Sequence, residues 1–433
     1  PEALGGLWGF RPGRVRSAGA LVWARKGLSA CGLWLVWRAS WELLDPPSCD
    51  SRIRGEYPIP YLPHVPPVPV GSDRVCAWTS GNSQESRLTA AEDKRLLIEE
   101  LLRERILVLD GAMGTAIQAR ELTAADFGGE AFEGCNEHLN LTRPDVIEAI
   151  HRDHLEAGAD IIETNTFGSS ALVLAEYPPL QMKAHEISVA AARLARRVAD
   201  EFSTADRPRF VAGSMGPTTK AISVTGGVTF EELLGTFFDQ AQALVEGGVD
   251  YLLIETAQDT RNIKAAVMGC RAAFDRLGRE VPVAVSGTIE PMGTMLAGQT
   301  ADALAVSLEH VDLLYLGLNC ATGPDFMTDH LRAIAEIAHT RIACVPNAGL
   351  PDEDGNYLES PEMIARVLER FVDEGWLNLV GGCCGTTGAH IRALAKMVEG
   401  KAARSLPTEH ATRVSGLETV EFTEDGGVLF VGV

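Results

Sequence analysis

The alternation of short apolar runs with longer amphipathic stretches constrains the fold of this chain more than any other feature. From about residue 90 onward, runs rich in Val, Ile and Leu are each followed by a stretch with helical periodicity. Runs that are apolar at nearly every position indicate strands buried on both faces, as in a parallel sheet whose strands are joined by helices. Eight runs follow this pattern, and they end near Asp110, Glu163, Ser214, Glu255, Ser286, Cys320, Asn347 and Cys383.

Eight strand–helix units in roughly 300 residues are typical of an α/β fold of the (β/α)8 TIM barrel class. An open, doubly wound sheet is the alternative, but such a sheet usually carries a G-x-G-x-x-G phosphate loop after its first strand. Residues 110–115 (DGAMGT) do not fit that loop. The sequence therefore predicts a barrel over residues 91–400, with its active site at the carboxyl ends of the strands.

The two ends of the chain differ from the predicted barrel. Six of the seven tryptophans and a proline-rich run at residues 57–70 lie within residues 1–90. We predict that this segment is an extension that is disordered or not native to the protein, and a targeting segment is the alternative. Residues 401–433 combine polar turns with a final apolar run, which predicts a linker and the first residues of a further, truncated domain.

Composition narrows the class of protein. The chain has 46% apolar and 22% charged residues, as expected of a globular protein, and its net charge is −21. Such a charge repels nucleic acid and anionic membrane surfaces, so we expect neither as a partner. The nine cysteines are spread unevenly along a long chain, which disfavours a secreted disulfide framework. We therefore predict a cytoplasmic protein.

Three cysteines stand where predicted strands end. Cys320 closes the motif GLNC at residues 317–320, and Cys383 and Cys384 form a pair inside GGCCG at residues 381–385. Three thiolates converging on one point would bind zinc and leave one coordination position open, as in catalytic zinc sites. Buried structural cysteines and a vicinal disulfide are the alternatives.

The remaining candidate metal ligands fit this chemistry less well. Cys31, Cys49, Cys76, Cys135, Cys270 and Cys344 have no partners at ligand spacing. His151 and His154 share one helix face and could bind a metal, but a helix of the outer ring favours a packed or solvated role.

Two carboxylates share the predicted rim with the cysteines. Asp110 and Glu255 follow the first and fourth strands, and they could act as acid and base or hold an ammonium group. We favour the ammonium group, and a helix N-cap is the alternative for Asp110. The backbone N–H groups of Gly111 and Ala112 would then be free to bind a carboxylate. Together these groups describe a site for an amino acid that carries a thiol.

Six segments resemble the homocysteine S-methyltransferase family, and the similarity runs from about residue 93 to about residue 399. Within that family the sequence of these segments is most similar to the N-terminal, homocysteine-binding module of cobalamin-dependent methionine synthases. The segments are residues 109–115 (LDGAMGT), 136–144 (NEHLNLTRP), 158–167 (GADIIETNTF), 213–218 (GSMGPT), 317–320 (GLNC) and 381–385 (GGCCG).

The resemblance implies that Cys320, Cys383 and Cys384 bind zinc and that homocysteine sulfur takes the remaining position. It also implies that Asp110 and Glu255 hold the substrate amino group. The methyl donor would be methylcobalamin on a cobalamin-binding module, with a folate-binding module following the linker. We further hypothesise that Asn347 or Asn319 fills the zinc site when substrate is absent.

Three other functions stay open at this point. The first is a stand-alone homocysteine S-methyltransferase that uses S-methylmethionine or betaine, and the second is a fusion to methylenetetrahydrofolate reductase. The third is a zinc-bearing structural module without turnover, which would require a closed set of four ligands.

Overall fold

A computed structural model describes residues 85–353 and 355–423 of the chain. The predictions for the N-terminal tryptophans, the proline-rich run and the final apolar run at residues 428–433 fall outside these described residues, as do Cys31, Cys49 and Cys76. Within the described ranges, every helix is too short or too polar to cross a lipid bilayer.

Eight parallel strands form one closed sheet. They are β1 (Leu107–Val108), β2 (Ile161–Glu163), β3 (Phe210–Met215), β4 (Tyr251–Ala257), β5 (Val283–Gly287), β6 (Leu316–Asn319), β7 (Ile342–Val345) and β8 (Leu379–Val380). Each strand pairs with its neighbours in the chain, β8 returns to pair with β1, and a parallel bridge between Leu109 and Ile161 joins β1 to β2. The predicted (β/α)8 barrel is confirmed, and all eight strands end within three residues of the predicted positions.

Helices cover the outside and the amino-terminal end of the barrel. They span Glu85–Glu104, Met113–Gln118, Leu139–Thr142, Pro144–Ala157, Ala171–Leu174, Ala184–Phe202, Phe230–Gly247, Thr260–Leu277, Ala301–Leu308, Thr328–Ile337, Pro361–Asp373 and Gly388–Met397. After the last of these helices, a hairpin of β9 (Arg413–Ser415) and β10 (Thr419–Glu421) lies against the start of helix Ala301–Leu308, where Thr300 donates its N–H to the Leu417 carbonyl at 2.9 Å.

Alternation along the strands separates the core into two layers. Side chains such as Val211, Leu252 and Leu318 point outward and pack against the helices. Their sequence neighbours point inward and fill the barrel, where the hydroxyls of Tyr251 and Tyr315 lie 3.0 Å apart. The first helix, Glu85–Glu104, belongs to this inner layer, because its fully buried Ile98 and Leu102 close the amino-terminal end of the barrel.

Two glycines of helix Phe230–Gly247 offer a test of how tightly the outer layer is packed. A Cβ at Gly247 would collide with the Cβ of Ala192 and lie 3.1 Å from the Val189 carbonyl oxygen, whereas a Cβ at Gly235 would meet nothing within 4 Å. We expect Gly247→Ala to lower the free energy of unfolding by about 1–3 kcal/mol. Gly235→Ala should raise it by about 0.5–1 kcal/mol, because alanine restricts the unfolded chain.

Urea denaturation followed by circular dichroism measures both values. Equal effects of the two substitutions would contradict the close approach of helices Phe230–Gly247 and Ala184–Phe202.

Candidate active site

A cavity of about 250 Å³ opens at the carboxyl ends of the strands. Six of the seven predicted site residues line it, and Asp110 lies buried directly beside Gly111. A larger hollow, about 540 Å³, lies at the opposite end of the barrel and is lined by none of the predicted residues. The residues from the sequence prediction that line the smaller cavity are Gly111, Ala112, Glu255, Cys320, Cys383 and Cys384.

Cys320 follows β6 in an unusual backbone conformation. Its φ is 63° and that of Ala321 is 57°, both in the left-handed region that residues other than glycine rarely adopt. Cross-strand and local bonds hold this turn, since Cys320 donates its N–H to the Val345 carbonyl at 3.2 Å and Thr322 donates to the Cys320 carbonyl at 2.7 Å. The backbone therefore turns away from the direction of β6 at Cys320, the residue whose sulfur lines the cavity. Strain of this kind clusters at functional sites.

The cysteine pair follows β8 in a loop with little free space. A Cβ at Gly381 would lie 2.8 Å from the Cβ of Leu109, and one at Gly382 would collide with Thr386. Two further bonds fix the pair, because Cys383 donates its N–H to the Pro346 carbonyl at 2.8 Å and Cys384 donates to Asn347 Oδ1 at 3.1 Å. The glycines are therefore required by the close approach of the chain.

The three sulfur atoms are arranged for one metal ion. Sγ of Cys384 lies 3.9 Å from that of Cys320 and 4.0 Å from that of Cys383, and all three lie within 4.8 Å of one another. Four ligands placed tetrahedrally at the usual zinc–sulfur distance are about 3.8 Å apart. The donor set therefore fits zinc. The 4.0 Å separation also excludes a bond between Cys383 and Cys384 in this structure, where both are free thiols.

The three cysteines form hydrogen bonds with one another, and this arrangement favours the binding of a cation. The pKa of the Cys384 thiol falls to about 3, because the thiols of Cys320 and Cys383 donate hydrogen bonds to its thiolate. The pKa of Cys383 rises well above its ordinary value, since that proton is held by the neighbouring sulfurs. The hydroxyl of Tyr357 also donates to Cys384. One thiolate is thus bound by three donors, and a divalent cation would replace the two shared thiol protons.

Three acids, the buried Asp110 and Glu255 and the half-buried Glu163, lie at the same end of the barrel as the sulfur cluster. The pKa values of Asp110, Glu163 and Glu255 are all raised, in each case first by burial. The charges of Glu255 and Asp110 add to the effect at Glu163, and the pKa of Glu255 reaches about 7 even though Ser214 donates a hydrogen bond to it. Buried carboxylates are costly without a positive partner. The arrangement favours a ligand that carries a cationic group.

Asp110 has one carboxylate oxygen without a partner. Its Oδ2 accepts the N–H of Glu163 at 3.1 Å and lies 3.7 Å from Nδ1 of His154. Its Oδ1 is buried and meets no hydrogen-bond donor within the part of the chain that the structure describes. An unsatisfied buried oxygen of this kind calls for a donor from outside the protein.

The sequence model of one protein family, described as homocysteine S-methyltransferase, matches residues 107–398. The chain belongs to this family. The match covers all eight strands and the three clustered cysteines. The match to this methyltransferase family therefore includes the strands of the barrel and the residues that line its carboxyl-end cavity.

Two mycobacterial proteins and one bacterial structure resemble this homocysteine S-methyltransferase family member. The methionine synthase of Mycobacterium tuberculosis is 43% identical over 352 residues, and that of Mycobacterium leprae is 43% identical over 359 residues. Each match covers 80% of this chain, which spans only 29% of either relative. The metallated homocysteine methyltransferase MmuM of Escherichia coli shares the fold, with a TM-score of 0.57 at 23% identity over 70% of this chain and 98% of MmuM.

The structure corrects two expectations about the first loop of this family member. The short helix Met113–Gln118 has Ala112 as its N-cap and no side-chain cap, so Asp110 is not the N-cap. The N–H of Ala112 is also not free, because it donates to Thr386 Oγ1 at 3.3 Å. A substrate carboxylate at Ala112 would compete with that long bond.

The amides proposed as alternative zinc ligands already have partners. Oδ1 of Asn319 accepts from the Thr256 N–H at 3.0 Å and from the Ser286 hydroxyl at 2.7 Å, which uses both of its lone pairs. Oδ1 of Asn347 accepts the Cys384 N–H. Both amides therefore position loops of the site, and Asn319 is poorly placed to bind a metal as well.

Sequence reasoning missed three contributors to the site. Glu163 was identified as a polar strand end but not assigned to substrate, and His154 was placed only on an outer helix. His151 and His154 are indeed buried and packed, but His154 also faces Asp110. Tyr357 gave no signal, because it lies in an irregular loop whose path over Gly385 depends on the tertiary structure.

Proposed function

We propose that this barrel transfers the methyl group of methylcobalamin to the thiolate of L-homocysteine, giving L-methionine, with zinc held by Cys320, Cys383 and Cys384. One observation carries the proposal: three sulfurs at zinc-ligand spacing line a small cavity together with Glu163 and Glu255, and the buried Asp110 precedes Gly111 of the same lining. A molecule that bears both a thiol and an ammonium group satisfies both features.

Different groups of the cavity bind different parts of the substrate. When bound, zinc would hold the homocysteine sulfur as a thiolate near neutral pH and so supply the nucleophile. Asp110 and Glu255 bind the ammonium group, with Glu163 adding negative charge from the same side. The backbone N–H of Gly111 binds the carboxylate, and that of Ala112 joins it by giving up its 3.3 Å bond to Thr386 Oγ1. These contacts fix the substrate by its amino-acid end and leave its sulfur facing the cavity mouth.

Exposed apolar side chains around the mouth support a donor carried by another module. They stand on loops that follow different strands, and apolar surface of this kind marks interaction sites. The relatives are more than three times as long as the segment that this chain matches, which leaves room for cobalamin-binding and folate-binding modules. The side chains are Phe167, Met292, Phe326, Leu350 and Leu358.

The domain limits and the location of the protein follow from this proposal. We assign residues 1–90 to the extension, 91–400 to the homocysteine-binding barrel, and 401–433 to the linker and the start of the folate-binding module. Free thiols must stay reduced to bind zinc, which favours the cytoplasm.

Methyl transfer by the zinc-loaded chain tests the proposal. Homocysteine is supplied with methylcobalamin, S-methylmethionine or betaine in parallel, and methionine is measured. We expect turnover with methylcobalamin and none in the matched Cys320→Ala protein. Turnover with S-methylmethionine or betaine alone would replace the proposed donor, and absence of methionine with all three donors would contradict the proposed activity.

A further inference from the structure

A second group of metal-ligating side chains lies at the amino-terminal end of the barrel, away from the cysteines. Glu309 follows helix Ala301–Leu308, His339 precedes β7, and His410 belongs to the segment after the barrel. One ligand atom of each residue lies within 4.8 Å of the others. Glu309 and His339 also border the larger hollow of about 540 Å³.

Each ring nitrogen of His339 lies beside an acceptor oxygen. Nε2 lies 2.7 Å from the carbonyl oxygen of Glu409, which can only accept, so Nε2 carries a proton. Nδ1 lies 3.0 Å from Oε1 of Glu309, which as a carboxylate oxygen also only accepts. A metal ion that binds both atoms would satisfy this contact. An imidazole that donates its other N–H to a backbone carbonyl is the usual support of a metal-bound histidine.

His410 supplies the third donor after a side-chain rotation. Its ring stacks on that of His339, with centroids 4.1 Å apart and planes 15° apart. Stacked rings cannot direct lone pairs to one ion, but His410 is exposed and can tilt about its own side-chain bonds. Two imidazoles and one carboxylate are a donor set that zinc accepts with a position left for water.

The segment that carries His410 is already anchored beside this site. The guanidinium of Arg404 is buried and donates to the carbonyls of Ala335, Ala338 and Thr340 at 2.8, 2.9 and 3.0 Å. These carbonyls flank His339 in the chain, so the anchor holds the start of the segment close to that ring. The five residues between Arg404 and His410 complete the loop back to His339.

We propose that Glu309, His339 and His410 form a second divalent-metal site, of a kind that binds zinc, which fastens the segment after the barrel to the barrel itself. The ion would bind Nδ1 of His339 and the carboxylate of Glu309. The site is independent of the methyl-transfer reaction, because it lies at the opposite end of the strands from the three cysteines.

Zinc stoichiometry of the full chain tests the site. After titration with Zn²⁺ against a chromogenic chelator, we expect two bound equivalents in the unaltered protein. His339→Ala and His410→Ala should bind the second equivalent about tenfold more weakly or not at all. Cys384→Ser should lose the other equivalent and keep this one, which separates failure of this site from failure of the proposed active site.

Two controls sharpen the measurement. His185→Ala removes a similarly exposed histidine that pairs with Glu246 at 2.9 Å, and it should keep both equivalents. Zinc should also slow tryptic cleavage after Arg413 in the unaltered protein but not in His410→Ala, whose change is exposed and leaves the barrel core intact. A single equivalent that is lost in Cys384→Ser, or a second one that survives both histidine substitutions, would overturn the proposal.

Discussion

Replacing Cys320, Cys383 or Cys384 with alanine is expected to remove zinc from the active site and to lower methyl transfer by about 1,000-fold or more. Each sulfur would supply one of the three candidate ligands that converge here within the described residues. A catalytic metal ion contributes several kcal/mol to its reaction, and each 1.36 kcal/mol corresponds to a factor of ten in rate. Metal analysis and methionine formation measure the two losses.

The barrel should survive these substitutions, because the three sulfurs line a cavity and are only partly buried. Melting curves of the three proteins should match that of the zinc-free parent. Cys270→Ala is the matched control, since Cys270 is fully buried in the outer layer away from the cavity and should leave zinc content unchanged. Normal turnover in any one of the three active-site proteins would exclude the zinc mechanism.

Neutralising the buried acids is expected to weaken homocysteine binding far more than it slows the chemical step. Asp110→Asn removes the charge of a carboxylate that is 2% exposed and has one unpartnered oxygen. A hydrogen bond to a charged group is worth about 1.5–3 kcal/mol, so KM for homocysteine should rise about 10- to 100-fold while kcat changes little. Steady-state kinetics at fixed donor concentration separates the two effects.

The same acids make binding depend on pH. Burial raises the pKa of Glu255 to about 7, so this carboxyl is increasingly protonated below neutrality and binds an ammonium group less well. We expect KM for homocysteine to rise as pH falls from 8 to 6, and Glu255→Gln should abolish that dependence. A KM profile that is unchanged by Glu255→Gln would assign the dependence to another group.

The raised pKa also predicts a cost in stability. The folded protein holds the Glu255 proton more tightly than the unfolded chain does, because the ordinary pKa of this group is 4.5. This contribution is present at low pH and is lost as pH rises from the ordinary value towards 7. Glu255→Gln should therefore be more stable than the parent at pH 8 and not at pH 5. Ionisation of Glu255 therefore favours substrate binding but lowers the stability of the folded protein.

Much of the fold could be predicted because strands that are buried on both faces have apolar residues at nearly every position. Runs such as residues 251–254 are apolar without interruption, and their lengths and spacing sufficed to predict eight strands in the right order. The carboxyl ends of parallel strands meet at one rim, so the meeting of Cys320 with Cys383 and Cys384 followed from topology.

The remaining details of the site could not be predicted, because they depend on local geometry that has no corresponding pattern in the sequence. The register shift between Ile254 and Ala257, with Thr256 at a φ of 52°, distorts β4 at the position of Glu255 and could not be read from residue types. The bond from Ala112 to Thr386 joins loops 274 positions apart. Tyr357 reaches Cys384 from an irregular loop that precedes it by 27 positions.

The helix Glu85–Glu104 separates two ways of defining a domain. The match to the homocysteine S-methyltransferase family model begins at residue 107, yet the floor of the barrel is supplied by Ile98 and Leu102 upstream of that point. The family model and the cooperative folding unit therefore have different boundaries in this molecule. The segment that the family model matches is a cylinder open at one end, and the unit with a closed interior includes one more helix, which the matches to the mycobacterial relatives also reach.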